Sequence, residues 1–419
     1  MKASQIILAA VALSATVSLT AQTLATGDSR TVSQPSYPTV CQTLTANFTT
    51  SQRSSPPSSS SDDTSRLQNA LTACQGTGKS VVLATSGSNN AFFTGALNMS
   101  GVALVVNSGV TLYGNDSYSS ASQLISVTGT NAAIMGPGTI DGRGDLISGT
   151  PRLINAKSIS NFIAYNITLQ NAAKMHLYVE GGSGFTAWGV TINSGPTTAN
   201  TDGIDIDSLT NATVYGSSIT AGDDGVAIKT NSAATSNVTI SGTTFIGTHG
   251  MSIGSQTMYG ITNVLFKNNY VYGKTSGGTY STNNNGINIK SDIDCGGNVT
   301  QVTYTNTCMK YVKHLLIFNS NYGSCSGTTG TPYFTDIIVN GVKTTSSQSS
   351  AYSTFNGYSS SYPLGLYLAN VSLDTTTQQN SQYASVGLEN SNITPSGTGV
   401  STYTVTNISG SVPTCSFAY

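Results

Sequence analysis

Short runs of alternating apolar and polar residues recur along this chain at a nearly constant interval. They begin at Phe162 (FIAYNITL), Phe185 (FTAWGVTI), Ala212 (ATVYGSSI), Val238 (VTISGTTF), Val264 (VLFKNNYV), Val302 (VTYTNTCM) and Ile337 (IIVNGVKT), several of them directly after an Asn or Asp. A two-residue alternation marks a strand with one buried face. The first intervals are about 23 to 27 residues and the last two about 35 to 38, so loops are inserted late in the series. Strands repeating at this period, with no helical pattern between them, predict an all-β protein: a right-handed parallel β-helix with several short strands per turn. A β-propeller is the main competing architecture, but its blades repeat at longer and more even intervals.

Ahead of the repeats, Thr64, Leu67, Leu71 and Cys74 recur at helical spacing, with Asp63 or Thr64 available as the cap. This helix is expected to close the open end of the solenoid. Residues 22–61 are polar, with the low-complexity run SSPPSSSS at Ser54 to Ser61, and read as an extended lead-in. The first 21 residues read as a secretory signal: Lys2, an apolar run from Ile6 to Leu19, then Ala21 before Gln22. That run is too short for a membrane span and no other segment competes. The β-helix unit is therefore expected over 62–419, as a secreted monomer.

Composition narrows the picture. Only 8% of residues are charged, while Gly, Ser, Thr, Asn and Tyr abound, a mixture that suits strands and turns over long helices. Regular Val, Ile, Phe and Tyr supply enough apolar surface to exclude disorder for most of the chain. A net charge of −1 points to no nucleic acid and no anionic membrane as partner. The six cysteines, Cys41, Cys74, Cys295, Cys308, Cys325 and Cys415, form no CxxC pair, so disulfides are expected over a zinc site. Fifteen complete pairings are open, and Cys41–Cys74 is the one expected. Asn-x-Ser/Thr sequons recur along the chain and permit glycosylation.

The chemistry concentrates between Asn200 and Lys290. Asn200-Thr201-Asp202, Gly222-Asp223-Asp224-Gly225, Thr248-His249-Gly250 and Asn288-Ile289-Lys290 follow one another at intervals of one coil, the last with an insertion from Lys274 to Asn283. One coil along the chain is one rung across the solenoid, roughly 4.8 Å, so the clusters would project from neighbouring rungs of one face. Glycosidic cleavage needs one carboxylic acid for the leaving oxygen and a second carboxylate for water or sugar. Three aspartates on two rungs supply both, and their repulsion would hold one protonated. Lys290 and His249 stand where cations would meet an acidic sugar. Taken singly, each piece has a plainer reading: GDDG as a turn, Asp202, Asp205 and Asp207 as caps, His249 as a half-buried structural histidine, and Lys290 as a solvated side chain. Co-location at solenoid spacing lifts the group, though for Asp205 and Asp207 the structural reading is preferred. No EF-hand-like loop is present, and no metal or cofactor is expected.

NTDGID (Asn200 to Asp205), GDDGVAIK (Gly222 to Lys229), HGMSIGS (His249 to Ser255) and GINIKSD (Gly286 to Asp292) resemble, in order and spacing, the four motifs of glycoside hydrolase family 28, the polygalacturonases. GPGTIDGRG (Gly136 to Gly144) and DDTSRLQNALTAC (Asp62 to Cys74) match further landmarks, so the likeness covers most of the chain after Asp62, and it is nearest to the branch common among bacteria. The resemblance implies hydrolysis of α-1,4-galacturonosyl bonds in a pectic polysaccharide, with inversion. It casts Asp223 as general acid, Asp202 and Asp224 as the pair that activates water, and His249 as the histidine tuning the acid. Lys290 then grips a substrate carboxylate, Asn200 supports the cluster, and Tyr322 matches an aromatic residue at the cleft.

Two positions depart from the family pattern. Asn288 stands where Arg is usual, and an amide cannot replace a bidentate guanidinium charge, so the grip on that galacturonate is changed. Thr248 replaces a glycine, a minor change on extended backbone. Asn288 leaves open a decorated backbone such as xylogalacturonan or rhamnogalacturonan. A pectate lyase, which would need calcium and a basic residue, and a non-catalytic carbohydrate-binding solenoid are the remaining alternatives.

Overall fold

The computed structural model describes residues 23–325 and 330–418; the signal read at 1–21 lies outside them. Thirty strands, all paired in parallel, form a single right-handed β-helix. The first five periodic segments turn out to be two strands joined at a corner, and the last two lie within the single strands Asn298–Lys310 and Ile337–Thr345. Phe162–Tyr165 ends the strand Arg152–Tyr165, Asn166 turns, and Thr168–Gln170 follows. The fifth residue of all seven segments is Asn or Gly in the left-handed region: Asn166, Gly189, Gly216, Gly242, Asn268, Asn306 and Gly341. The residue before each segment is left-handed as well, from Asn161 (φ 58°) to Asp336 (φ 50°). Only Gly and, among common residues, Asn or Asp enter that region cheaply, so these residues punctuate each coil.

Inside the coils the alternation buries one column per strand. Phe162, Phe185, Ala212, Val238, Val264, Val302 and Ile337 stack in the core one above another. Asparagines at the corners pair between coils, as in Asn237 Nδ2 to Asn211 Oδ1 at 3.2 Å and Asn263 Nδ2 to Asn237 Oδ1 at 2.8 Å. Corner polar groups are thus satisfied by their own repeats.

The helix forms over Thr64–Ala73 and buries Leu67, Ala70 and Leu71 in the main core. Its cap differs from expectation. Asp62 accepts from the Thr64 N–H at 2.9 Å, while the Asp63 carboxylate takes Phe93 N–H at 3.0 Å and the Arg66 guanidinium at 2.6 Å. Cys41–Cys74 is bonded as expected, and Cys295–Cys325 and Cys308–Cys415 complete the set.

The stretch read as lead-in is fastened along its length. Val40–Thr45 forms a strand beside Ser80–Ala84. Upstream, a strap runs across the strands, bonding Thr303 at Ala25, Asn263 at Thr26 and Gly27, Thr239 and Thr213 at Asp28, the Phe185 carbonyl at Arg30, and Tyr165 at Gln34. It sits so close at Gly27 (φ +72°) that a Cβ there would lie 2.1 Å from Thr239 Oγ1. At the other terminus Ala418 N–H donates to the Tyr272 hydroxyl at 2.8 Å, beside the Cys308–Cys415 link.

Candidate active site

Strand register brings the four clusters together. Asp205, Ala227, Ser252, Asn288, Ile317 and Thr354 form one column across successive rungs. Ile228, Ile253 and Ile289 form the next, on the buried side. One residue further on, Lys229, Gly254 and Lys290 follow, with Lys290 in register with Asn319 and then Asn356. Asp202, Asp224 and His249 each stand two residues before their strands' first paired positions, at Ile204, Val226 and Met251. Gly254 (φ +103°) has a specific reason in this array: a Cβ there would lie 1.7 Å from the Lys290 carbonyl oxygen.

The side chains fall into three interlocked groups. Asp223 is the most open of the three aspartates, with 22% of its side chain exposed. Its Oδ1 lies 3.0 Å from His249 Nδ1, and its Oδ2 accepts the Asn200 backbone N–H at 3.1 Å. Asp224 is buried, held by Lys290 Nζ at 3.0 Å and by the Ser252 hydroxyl at 2.6 Å. Asp202 is buried beside Lys229, whose Nζ lies 3.3 Å from it and 2.6 Å from Asp205.

Charge follows burial. Removal from water, reinforced by Asp205 and only partly offset by Lys229, pushes the Asp202 carboxyl well above the usual range. Asp205 is raised for the same first reason. Lys229 is itself buried, yet Asp205 and Asp202 hold its proton firmly. Asp223 goes the other way: against the penalty of burial, the hydrogen bond and charge of His249 and then Lys290 hold it at about 2. The sequence expects repulsion to keep one aspartate protonated; in the free protein the group favoured for that proton is Asp202, while Asp223 shares a hydrogen bond with His249.

Two expected residues meet the cluster in ways the sequence does not specify. Asn288 is only 2% exposed, and its Nδ2 donates to Ser252 Oγ at 3.1 Å, which donates to Asp224. It therefore braces Asp224 through Ser252. Asn200 reaches the cluster through its backbone N–H. Tyr322 is 49% exposed with Lys290 Nζ 5.1 Å from its ring centre, as a cleft wall would be. Asp207 is fully engaged by Asn231, Ser208 and Tyr178. His176, lowered to about 4 by complete burial, is a neutral core histidine bonded to Ser194.

Lys229, Ser252 and Thr282 escaped the sequence reading, and Asp205, read there as structural, is the buried partner of Lys229. Lys229 lies within GDDGVAIK, but its link to Asp205 emerges only from strand register. Thr282 belongs to the insertion, which folds as a small hairpin with Thr275 N–H donating to Thr279 O at 2.9 Å. Lys274 pins it over the Tyr311 ring at 4.0 Å, and Thr282 Oγ1 meets His249 Nε2 at 3.2 Å. Thr282→Val is expected to lower kcat about fivefold and shift the pH–rate profile, matching one neutral hydrogen bond of about 1 kcal/mol, with Thr282→Ser restoring both. An unchanged profile in the Val variant would show that Thr282 merely borders the cleft.

Asp223, Asp224 and His249 also bring one ligand atom each within 4.8 Å of one another. Lys290 and Ser252 already engage the Asp224 carboxylate, and Asp223 and His249 are bonded to each other.

Acids and lysines on adjacent rungs of one face of a parallel β-helix fit the two-carboxylate chemistry of a glycoside hydrolase. The chain belongs to the glycosyl hydrolases family 28, which it matches over residues 74–392. It is 35% identical to an endo-polygalacturonase of Pectobacterium carotovorum subsp. carotovorum over 84% of this chain and 91% of that one. A polygalacturonase of Ralstonia solanacearum is 32% identical, covering 86% of this chain and 84% of that one. Among solved structures, a polygalacturonase from Erwinia carotovora ssp. carotovora superposes with a TM-score of 0.73 at 34% identity, over 86% of this chain and 99% of that one.

Proposed function

We propose that this protein is a secreted polygalacturonase that hydrolyses α-1,4-galacturonosyl bonds of pectin with inversion. The observation that carries this reading is the division of labour among the aspartates: Asp223 tips outward onto His249, while Asp202 and Asp224 are drawn back onto lysines. Family membership and the 35% identical endo-polygalacturonase support the substrate class.

In this mechanism the Asp223–His249 pair carries the proton that the leaving oxygen needs. Transfer along their 3.0 Å hydrogen bond yields neutral Asp223, a strong acid because its carboxylate is so well stabilised. The leaving sugar oxygen takes that proton as the bond breaks. A water between Asp202 and Asp224 attacks the opposite face of the sugar and gives its proton to one of them. Lys290, beside Tyr322, offers its charge to a galacturonate carboxylate. Three disulfides suit an oxidising compartment and support secretion.

Product analysis on polygalacturonate tests the reading. Saturated oligogalacturonides with a β-configured new reducing end are expected; unsaturated, ultraviolet-absorbing products lost on chelation would replace it with a lyase.

A further inference from the structure

Past Lys290, toward the later coils, the cleft continues into a second cavity of about 170 Å³. That is below the roughly 300 Å³ at which drug-sized pockets begin and is on the scale of one sugar ring. Of its eleven lining residues none is acidic and only Lys290 is a permanent cation. Lys290 is shared between Asp224, at 3.0 Å, and the galacturonate carboxylate that the proposed mechanism sets against it, and no further charge lines the cavity. Lys313 precedes His314 in sequence but does not line it.

The remaining lining is neutral and polar, with aromatic walls. Asn285, Asn319, Thr354 and Asn380 supply amide and hydroxyl groups, and Tyr322 and Tyr352 supply ring faces. Asn319 Oδ1 accepts from Asn356 Nδ2 at 2.9 Å and from Asn321 N–H at 3.0 Å, while its own Nδ2 has no partner among the described residues. His314 donates Nδ1–H to Asn285 Oδ1 at 2.6 Å and stacks obliquely on Tyr352, ring centres 4.8 Å apart. Burial, with Lys313 and His249 nearby, lowers it to about 4, so at mildly acidic pH it adds no charge. A second carboxylate entering here, with Lys290 engaged by the first, would give up hydration for a lining of otherwise neutral dipoles, which is unfavourable. An uncharged unit would keep the hydrogen bonds and lay apolar surface against the tyrosines.

We propose that this cavity is a subsite for an uncharged sugar unit, so that the enzyme prefers a pectic chain that places a methyl-esterified galacturonate or a neutral branch sugar beyond the Lys290 position. The inference rests on the polygalacturonase reading, and it names which form of the polymer is taken. Isothermal titration with the catalytically silenced Asp223→Asn protein tests it apart from turnover. The probes are a methyl-esterified oligogalacturonide, the free-acid chain of equal length, and a xylose-substituted chain. Roughly tenfold tighter binding of the esterified or the xylose-bearing chain is expected, and which of the two gains identifies the source of the neutral unit. Adding Asn319→Lys, or Thr354→Lys should the first not fold, is expected to reverse that order. Equal or tighter binding of the free acid, unmoved by the added lysine, overturns the subsite. Failure of the wild-type enzyme to release saturated products would instead overturn the hydrolase reading and leave these binding results standing.

Discussion

Asp223→Asn is expected to lower kcat on polygalacturonate about 10³-fold while the fold and substrate affinity persist, because general acid catalysis contributes about 10²- to 10⁴-fold. The amide keeps the size of the carboxyl and can still meet His249 and the Asn200 N–H, but it has no proton to give. A second consequence concerns pH. A carboxyl held at about 2 in the folded protein, against an ordinary value near 3.8, stabilises the fold above pH 4 and loses that contribution as pH falls through 2. The contribution is about 2 kcal/mol, so the variant should melt lower at neutral pH, with the gap closing on strong acidification. Kinetics and thermal melts at several pH values check both parts; near-normal turnover would remove Asp223 from the role of acid.

Lys229→Ala is the second large effect. It leaves Asp202 and Asp205 buried, one beside the other, with their shared cation gone. Removing one partner of a buried ion cluster costs about 3–5 kcal/mol. Both carboxyls already sit above their ordinary range, chiefly through burial, and without Lys229 they would bind protons more tightly still. A carboxyl raised in the folded state favours folding below its unfolded value and loses that advantage as pH rises through its folded value. The variant should therefore be severely destabilised at pH 7 and recover much of the loss near pH 4. Denaturant unfolding at the two pH values measures this. An equal deficit at both would mean that Lys229 matters for packing alone.

The sequence carried more of the coil geometry than its alternation pattern suggests. Asn or Gly at the fifth position of FIAYNITL, FTAWGVTI and their successors is the corner itself, written as the residues that tolerate a left-handed backbone. The acid cluster was legible because its members recur at coil spacing. Lys229 was not, because five residues after Asp224 means nothing until register sets Lys229 beside Asp207 and within reach of Asp205. Asn288 reads as a substrate contact from its motif and does line the cavity beside Lys290, but that its amide donates to Ser252 was not legible, because the bond depends on the register of neighbouring rungs. The strap was illegible for a different reason. It runs across the strands, bonding through backbone groups and short polar side chains, and so leaves no hydrophobic period.

That strap changes how the molecule must come apart. A solenoid whose coils touch only their neighbours behaves as a one-dimensional stack, free to fray from either end in steps. Here a single segment grips six coils in succession, from Thr303 to Tyr165. Opening any one of them loosens its hold on the others, so the stack is coupled over a range its nearest-neighbour contacts do not reach. The rungs of the candidate site, those of Asp202, Asp223 and His249, lie within the gripped stretch. Their geometry is thus protected by all-or-none melting of that block.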